Sequence, residues 1–474
     1  MGAYLNKICQ TPNLDELARR SVQFDQAFTS VSSCSPSRAA LLTGSPAHAT
    51  GMYGLHHSVH HFNAFDATDS LPARLKRLGI FTGIIGKKHV GPRAAFQFDF
   101  EQTEENNHIN QVGRNITHMK LLARQFLRQA NTLDKPFFLY IAFHDPHRCR
   151  NEPQFGSFCE RFGTGEPGTG RIPDWVPWYY RPEEIELPYN IQDTEAARRD
   201  VAAQYTTISR LDQGVGLMLR ELEAAGHAND TLILYTSDNG IPFLAGRTNL
   251  YEPGIRIPLL MYQPGVRPGI SRAMTSLLDI APTVLHWFHG TNPSLPLQPD
   301  IETNEIEPLP YSKSLLHVEH KESAPSEDEA IFASHTHHEV TMYYPMRAIR
   351  TRRYKLIHNI NFGAPFPIDQ DLYASPTFQD ILNRTKEGRP LYWYKTLRQY
   401  YYRPQWELYD LHSDPLEMHN LHGSPKLQTI ETELRERLWR WQRDTRDPWL
   451  CAPAGVVVDG HGHCGALDND LQLD

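Results

Sequence analysis

The sequence predicts an α/β fold: a large mixed sheet flanked by helices, followed by a smaller C-terminal domain built on an antiparallel sheet. Three observations predict it. Short apolar, β-rich runs at residues 81–85, 137–143 and 231–236 are continuous rather than alternating, the pattern of strands covered on both faces. Helical stretches separate these runs, and alternation of strand and helix makes an α/β sheet. From about Met346 the texture changes to shorter strands, at residues 347–357 and 406–411, followed by an amphipathic helix over 427–443. The expected division is therefore residues 1–345 for the α/β domain and 346–474 for the smaller one.

Taken in order, residues 12–20 form a helix with Thr11 as its cap. A second helix is expected with Ser35 as cap, Pro36 at the first helical position and Gly44 as its stop, which places Cys34 just before a helix N-terminus. Residues 114–130 carry Ile116, Met119, Leu122 and Phe126 at helical spacing, and residues 195–225 form a long helix ending at Gly226. Residues 290–325, rich in Pro, Glu and Ser, read as a long surface connection. No internal repeat is present.

Among the 474 residues, 40% are hydrophobic and 22% charged, ordinary for a globular protein of two or three domains. No apolar stretch approaches the ~18 residues of a membrane span. A net charge of −8 argues against nucleic-acid binding, although protonation of the 24 His would reverse that sign in an acidic compartment and suit a polyanionic substrate. Six Cys contain no C-x-x-C pair, so a zinc site is not expected. Cys149 with Cys159 and Cys451 with Cys464 are each close enough in sequence to close a small disulfide loop. Sequons at Asn115, Asn229 and Asn383 lean the same way, towards a secretory-route glycoprotein. The chain as written has no basic-then-apolar leader.

Each of the three apolar runs is followed at once by a polar cluster: Gly86-Lys87-Lys88-His89-Val90-Gly91, His144-Asp145-Pro146-His147 and Ser237-Asp238-Asn239-Gly240. Ligands of α/β sheets bind beyond the carboxyl ends of the strands, so the three clusters are expected to converge on one site. Ser33-Cys34-Ser35-Pro36-Ser37-Arg38 adds a thiol at a helix N-terminus, where free N–H groups and the dipole favour an anion, and an arginine one turn in that donates to the same oxygens.

The C-x-P-x-R pattern of Cys34, Pro36 and Arg38, continued through Ala39-Ala40-Leu41-Leu42-Thr43-Gly44, resembles the signature of the sulfatase family. Gly86 to Gly91, Ser237 to Gly240 and Ser276 to Thr283 are similar to further elements of that family, in the same order. Longer stretches, at 29–39, 83–92, 142–149, 237–243, 337–345 and 365–373, resemble those sulfatases that remove N-linked sulfate from glucosamine of heparan sulfate. The resemblance implies an alkaline-phosphatase-like fold and a sulfohydrolase acting on heparan sulfate oligosaccharides in the lysosome, with homodimerisation. It implies that a formylglycine-generating enzyme oxidises Cys34 to the formylglycine nucleophile. It further implies that Arg38 and Lys87 stabilise the sulfuryl oxygens, that His89 assists the second diol hydroxyl, and that His147 protonates the leaving nitrogen. Asp238 and Asn239, with the group derived from Cys34, would bind one calcium ion; Arg247 would contact substrate or metal, and Asp145, His337, His338 and Glu339 would shape the sugar pocket.

One departure stands out. The family pattern has a first strand ending in paired Asp residues that supply half of the metal site, and no Asp-Asp precedes Cys34. The expectation is a chain that lacks that strand and a secretory leader, with weakened calcium binding and lowered activity. The alternatives are an O-sulfate ester sulfatase on glycosaminoglycans, a phosphatase of the same superfold (which would place Ser or Thr at position 34), and an inactive form that only binds heparan sulfate.

Overall fold

The structure, a computed structural model, describes residues 1–107, 112–149, 155–291, 311–316, 329–459 and 462–466. Most of the surface connection expected at 290–325 lies outside the described residues. In chain order the elements that frame the site are α1 (Pro12–Arg19), β1 (Val22–Phe24), α2 (Cys34–Thr43), β2 (Phe81–Gly86), β3 (Phe100–Thr103), α3 (Ile116–Leu133), β4 (Phe137–Ala142), α4 (Glu195–Ala224), β5 (Ile233–Thr236), β6 (Leu259–Tyr262) and β7 (Gly269–Ser271). The C-terminal sheet comprises β8 (Ala330–His335), β9 (Met346–Thr351), β10 (Tyr354–Asn359) and β11 (Trp406–Asp410), with α5 (Gln428–Asp444) packed against it.

The α/β layer is mixed, as expected. β3, β2 and β4 form a parallel sheet in that order. β5, β6, β1 and β7 form a second sheet in which β6 runs against both neighbours and β7 runs with β1. β2 is buried along its whole length, but β4 and β5 are largely half-buried. The reason is topological. Among the described residues β4 pairs only with β2 and β5 only with β6, and their free edges line one cavity of about 1980 Å³.

The C-terminal sheet is antiparallel in the order β8, β9, β10, β11, and it reaches back across residue 346 to take in β8. The run 347–357 is therefore two strands rather than one. The Thr351 hydroxyl makes the turn: it accepts from the Tyr354 N–H at 3.0 Å and donates to the Tyr354 carbonyl at 3.1 Å, so the chain reverses at Arg352 and Arg353. Both expected disulfides, Cys149–Cys159 and Cys451–Cys464, are present, and Cys9 and Cys34 are free and buried.

Helix ends follow the sequence to within a residue except in α3, expected over 114–130 and found at Ile116–Leu133, and at the start of α2. Asn115 caps α3 by accepting from the His118 N–H at 3.1 Å, and Thr194 caps α4 through the Ala197 N–H. α2 starts two residues earlier than its caps suggested. Ser33 is the extended N-cap, Cys34 is the first helical residue, and Pro36 falls inside the first turn, where its missing N–H costs no helical bond. Ser35 instead uses its hydroxyl to accept from the His56 N–H at 3.0 Å. Gly44, left-handed at φ 70°, closes the helix as expected.

Packing fixes β2 against α3. The Phe126 ring stacks on Phe81 at 4.9 Å, inside a cluster with Ile85, Phe100, Ile116 and Met119. Gly83 is small because that ring lies on it: a Cβ there would sit 2.4 Å from Phe126 Cε2. Gly83→Ala is therefore expected to lower stability by about 1–3 kcal/mol through overpacking, read as a fall in the denaturant midpoint. Adding Phe126→Leu should make the Gly83 change cost less than it does alone; equal costs in both backgrounds would refute this contact as the cause.

Candidate functional site

Four chain segments meet at the end of the cavity beyond the carboxyl ends of β2, β4 and β5. Cys34, Arg38, Lys87, His147, Asp238, Asn239 and Arg247 all line it. Cys34 is buried at the N-terminus of α2, with Asn239 Nδ2 3.9 Å from its sulfur.

Arg38 ties α2 to the end of β5. Its Nε and Nη2 both donate to Asp238 Oδ2 at 2.8 Å, and Nη1 donates to the Lys87 carbonyl at 2.7 Å. Ser37 reinforces the junction by donating to the Asp238 carbonyl at 2.5 Å. Burial works against charge on both partners. The pairing outweighs it, so the Asp238 carboxyl lies below its ordinary range and the Arg38 guanidinium is held protonated.

Lys87 enters through a glycine. Gly86 has φ 98°, and a Cβ there would lie 2.1 Å from the Ala142 carbonyl oxygen; this close approach lets the Lys87 N–H donate to that same oxygen at 2.9 Å. Lys88 is tied to Glu101, 3.0 Å from both carboxylate oxygens. Of the two lysines, Lys87 is the one in the cavity.

His147 has a defined tautomer. Arg247 Nη1 can only donate, so at 3.0 Å the His147 Nε2 accepts; Nδ1 then carries the hydrogen and donates to the Arg148 carbonyl at 2.9 Å. Burial, then the positive charges of Lys87 and Arg247, hold this ring well below its ordinary pKa. Arg247 is itself clamped by Asp369, at 2.6 Å, and by Asp371. Burial disfavours both carboxylates. Arg247 keeps Asp371 ionised, and the Asp371 charge adds to burial in pushing Asp369 well above the carboxylate range.

The remaining expected residues have other partners. Both Asp145 oxygens are taken by Arg114 and Arg210, all three fully buried, so this carboxylate anchors the strand-end loop. His338 Nδ1 bonds the Ser33 hydroxyl at 2.8 Å, directly behind Cys34. Glu339 accepts from the Gln370 N–H at 3.1 Å, next to the Asp369–Asp371 pair. His337 is half-buried between the rings of Phe62 and Tyr343. His89, with φ 57°, donates its N–H to Glu105 at 2.8 Å and meets His57 through its ring.

Several participants were not singled out in the sequence. Glu104 bonds His144 at 2.6 Å and is held down at about 2: burial opposes its charge, but His144 and Lys87 favour it. Arg114 lies just ahead of α3 and Arg210 on α4, both far in sequence from any polar cluster. Asp369 and Asp371 lie in the 365–373 stretch, where the i, i+2 spacing of two carboxylates was the available signal.

A calcium ion was expected here. Among the described residues Asp238 and Asn239 supply two oxygen-bearing side chains where calcium takes six to eight oxygens, and Asp238 Oδ2 already holds the Arg38 guanidinium. These residues alone do not fit the ion.

Comparison with known proteins gives the family. Residues 1–291 match the sulfatase family model, and residues 381–444 match the model described as N-sulphoglucosamine sulphohydrolase, C-terminal. The chain is 54% identical to human N-sulphoglucosamine sulphohydrolase across 99% of its own length and 93% of the relative's. It is 25% identical to an ulvan-active sulfatase of Formosa agariphila across 99% of its length and 82% of the relative's. In fold it is similar to the solved structure of BT4656 in complex with its substrate D-glucosamine-2-N,6-O-disulfate (TM-score 0.60, 20% identity, 94% of this chain and 95% of that one). It is likewise similar to a putative sulfatase from Bacteroides thetaiotaomicron (TM-score 0.62, 19% identity, 98% and 94%). The signature around Cys34, the order of the strand-end clusters and the length of these matches lead to one conclusion: the chain belongs to the sulfatase family.

Proposed function

We propose that this protein hydrolyses the N-linked sulfate of glucosamine residues in heparan sulfate, as a lysosomal enzyme of glycosaminoglycan breakdown. The observation that carries the reading is the convergence of a helix-N-terminal Cys34 with Arg38, Lys87, His147 and Arg247 on one cavity. The name of the human relative and the match of residues 381–444 support N-sulfate over O-sulfate.

In this reading Cys34 is the precursor of formylglycine, and one hydroxyl of its hydrate attacks sulfur. The S–N bond breaks as the nitrogen takes a proton from His147, leaving a sulfate ester on residue 34. His89 then accepts the proton of the second hydroxyl, the C=O bond re-forms and sulfate departs; water rehydrates the aldehyde. Lys87 and Arg247 meet the sulfuryl oxygens. The α2 N-terminus holds residue 34 among free N–H groups suited to the same anion. Cys34 is only 2% exposed, so a formylglycine-generating enzyme must reach it before the chain folds. No step is routed through calcium, because the described residues do not complete a site for it. Association into homodimers is part of the reading by family resemblance.

The electrostatics explain how His147 becomes an acid. Burial, with the charges of Lys87 and Arg247, keeps it neutral in the free protein. A bound sulfamate offsets those charges and raises the ring's proton affinity, so the substrate loads its own proton donor. Turnover is then expected to fall on the alkaline side, as pH rises through the His147 pKa of the complex. His147→Gln should lose about 10²-fold in kcat and with it that alkaline limb; a variant that keeps the limb would reassign the acid.

Two further outcomes follow from the same reading. Mass spectrometry of the peptide bearing residue 34, from protein made in a secretory host, should find formylglycine, and Cys34→Ala should be inactive; an unmodified thiol in active protein would overturn the nucleophile. Given N-sulfated and 6-O-sulfated glucosamine side by side, the protein should release sulfate from the first. Preference for the second would favour the O-sulfatase alternative.

A further inference from the structure

His89 and His57 form a pair that the reaction above leaves unexplained. The two rings lie with centroids 4.4 Å apart and planes tilted by 43°, and His57 Nδ1 is in hydrogen-bond contact with His89 Nε2. The pair is built from both sides. His89 is buried in a left-handed conformation at φ 57°, held by its N–H donating to Glu105. His57, half-buried, is backed by the edge of His60 at 5.1 Å, and His60 Nδ1 accepts from the Val340 N–H at 3.1 Å. The loop bearing His57 is thus fixed to the segment just beyond His337, His338 and Glu339.

We propose that His57 is a positioning residue for His89, the two imidazoles sharing one hydrogen and so setting the tautomer of His89. The inference rests on the role given to His89 above. Two neutral imidazoles can make this contact only if one donates and the other accepts, so the tautomer of each ring fixes that of the other. One added proton turns the contact into a charge-assisted bond across the pair. A second would set two cations side by side and is disfavoured, so the rings titrate together rather than singly. A proton taken from the second diol hydroxyl is then shared between two rings.

The charged and titratable groups around the pair come from each neighbouring segment. Glu105 faces the His89 N–H; Lys88 beyond β2 is tied to Glu101 on β3; Lys87 precedes by two residues and turns into the cavity. His56 packs on Gly91, and His337 faces Phe62 on the same loop. Glu105 is bonded to His89 through its backbone, so it does not choose between the rings.

The test has two readouts on the full chain. In side-chain nitrogen NMR of the wild-type protein, the ring signals of His57 and His89 should move together through one step. In His57→Phe the His89 signal should titrate alone, displaced by about half a pH unit or more. With N-sulfoglucosamine, His57→Phe should lower kcat about tenfold with KM within about twofold, and His57→Gln, which keeps a partner for Nε2, should recover most of that loss. Independent titration of the two rings in the wild type would overturn the proposal without any variant. So would a His57→Phe protein with unaltered kcat and pH profile. Joint titration in a protein that hydrolyses no sulfamate supports the pair and counts against the functional reading alone.

Discussion

The site depends on the part-buried contact between Arg38 and Asp238. It joins the first turn of α2 to the end of β5, and through the Lys87 carbonyl it reaches the end of β2 as well. Removing one partner of such a pair leaves an uncompensated charge and costs about 3–5 kcal/mol, far more than the pair gains against apolar substitutes. Its value is therefore positional. Cys34, Lys87 and Asn239 belong to segments separated by dozens of residues, and the guanidinium fork is what sets them around one point.

Around that point the protein gathers positive charge and then limits it. Arg247 is offset by the Asp369–Asp371 pair, Arg38 by Asp238, and Arg114 with Arg210 by Asp145. Lys87 faces the cavity, where its charge acts on Glu104, Asp238 and His147. The result is a pocket in which burial, then the charges of Lys87 and Arg247, holds the His147 imidazole neutral. One clamp also reaches across the fold: Asp369 and Asp371 follow the C-terminal sheet strands β9 and β10, so that region holds Arg247 in place.

Much of this was legible in the sequence, for definable reasons. Continuous apolar runs announced β2, β4 and β5, and the polar clusters at their ends announced the site, because strand termini in an α/β sheet share one face. Gly44 and Gly226 marked helix ends through backbone conformation. What could not be read was pairing at long range. The two Arg partners of Asp145 lie on α4 and just ahead of α3, with nothing local to mark them. The start of α2 was misplaced by two residues because Ser33 and Ser35 are equally good caps, and only the bond from His56 to Ser35 decides between them. The turn inside 347–357 was hidden because two arginines continue the strand's alternation and a threonine hydroxyl does the work of a turn residue.

The bare edges of β4 and β5 have a consequence for how the molecule behaves in bulk. Among the described residues each of these strands has a neighbour on one side only, and an unpaired strand edge is a template for an extended segment that comes near. Backbone N–H groups without a strand partner are less protected from exchange than paired ones, so β4 and β5 are expected to take up deuterium sooner than β2, which has a neighbour on each side.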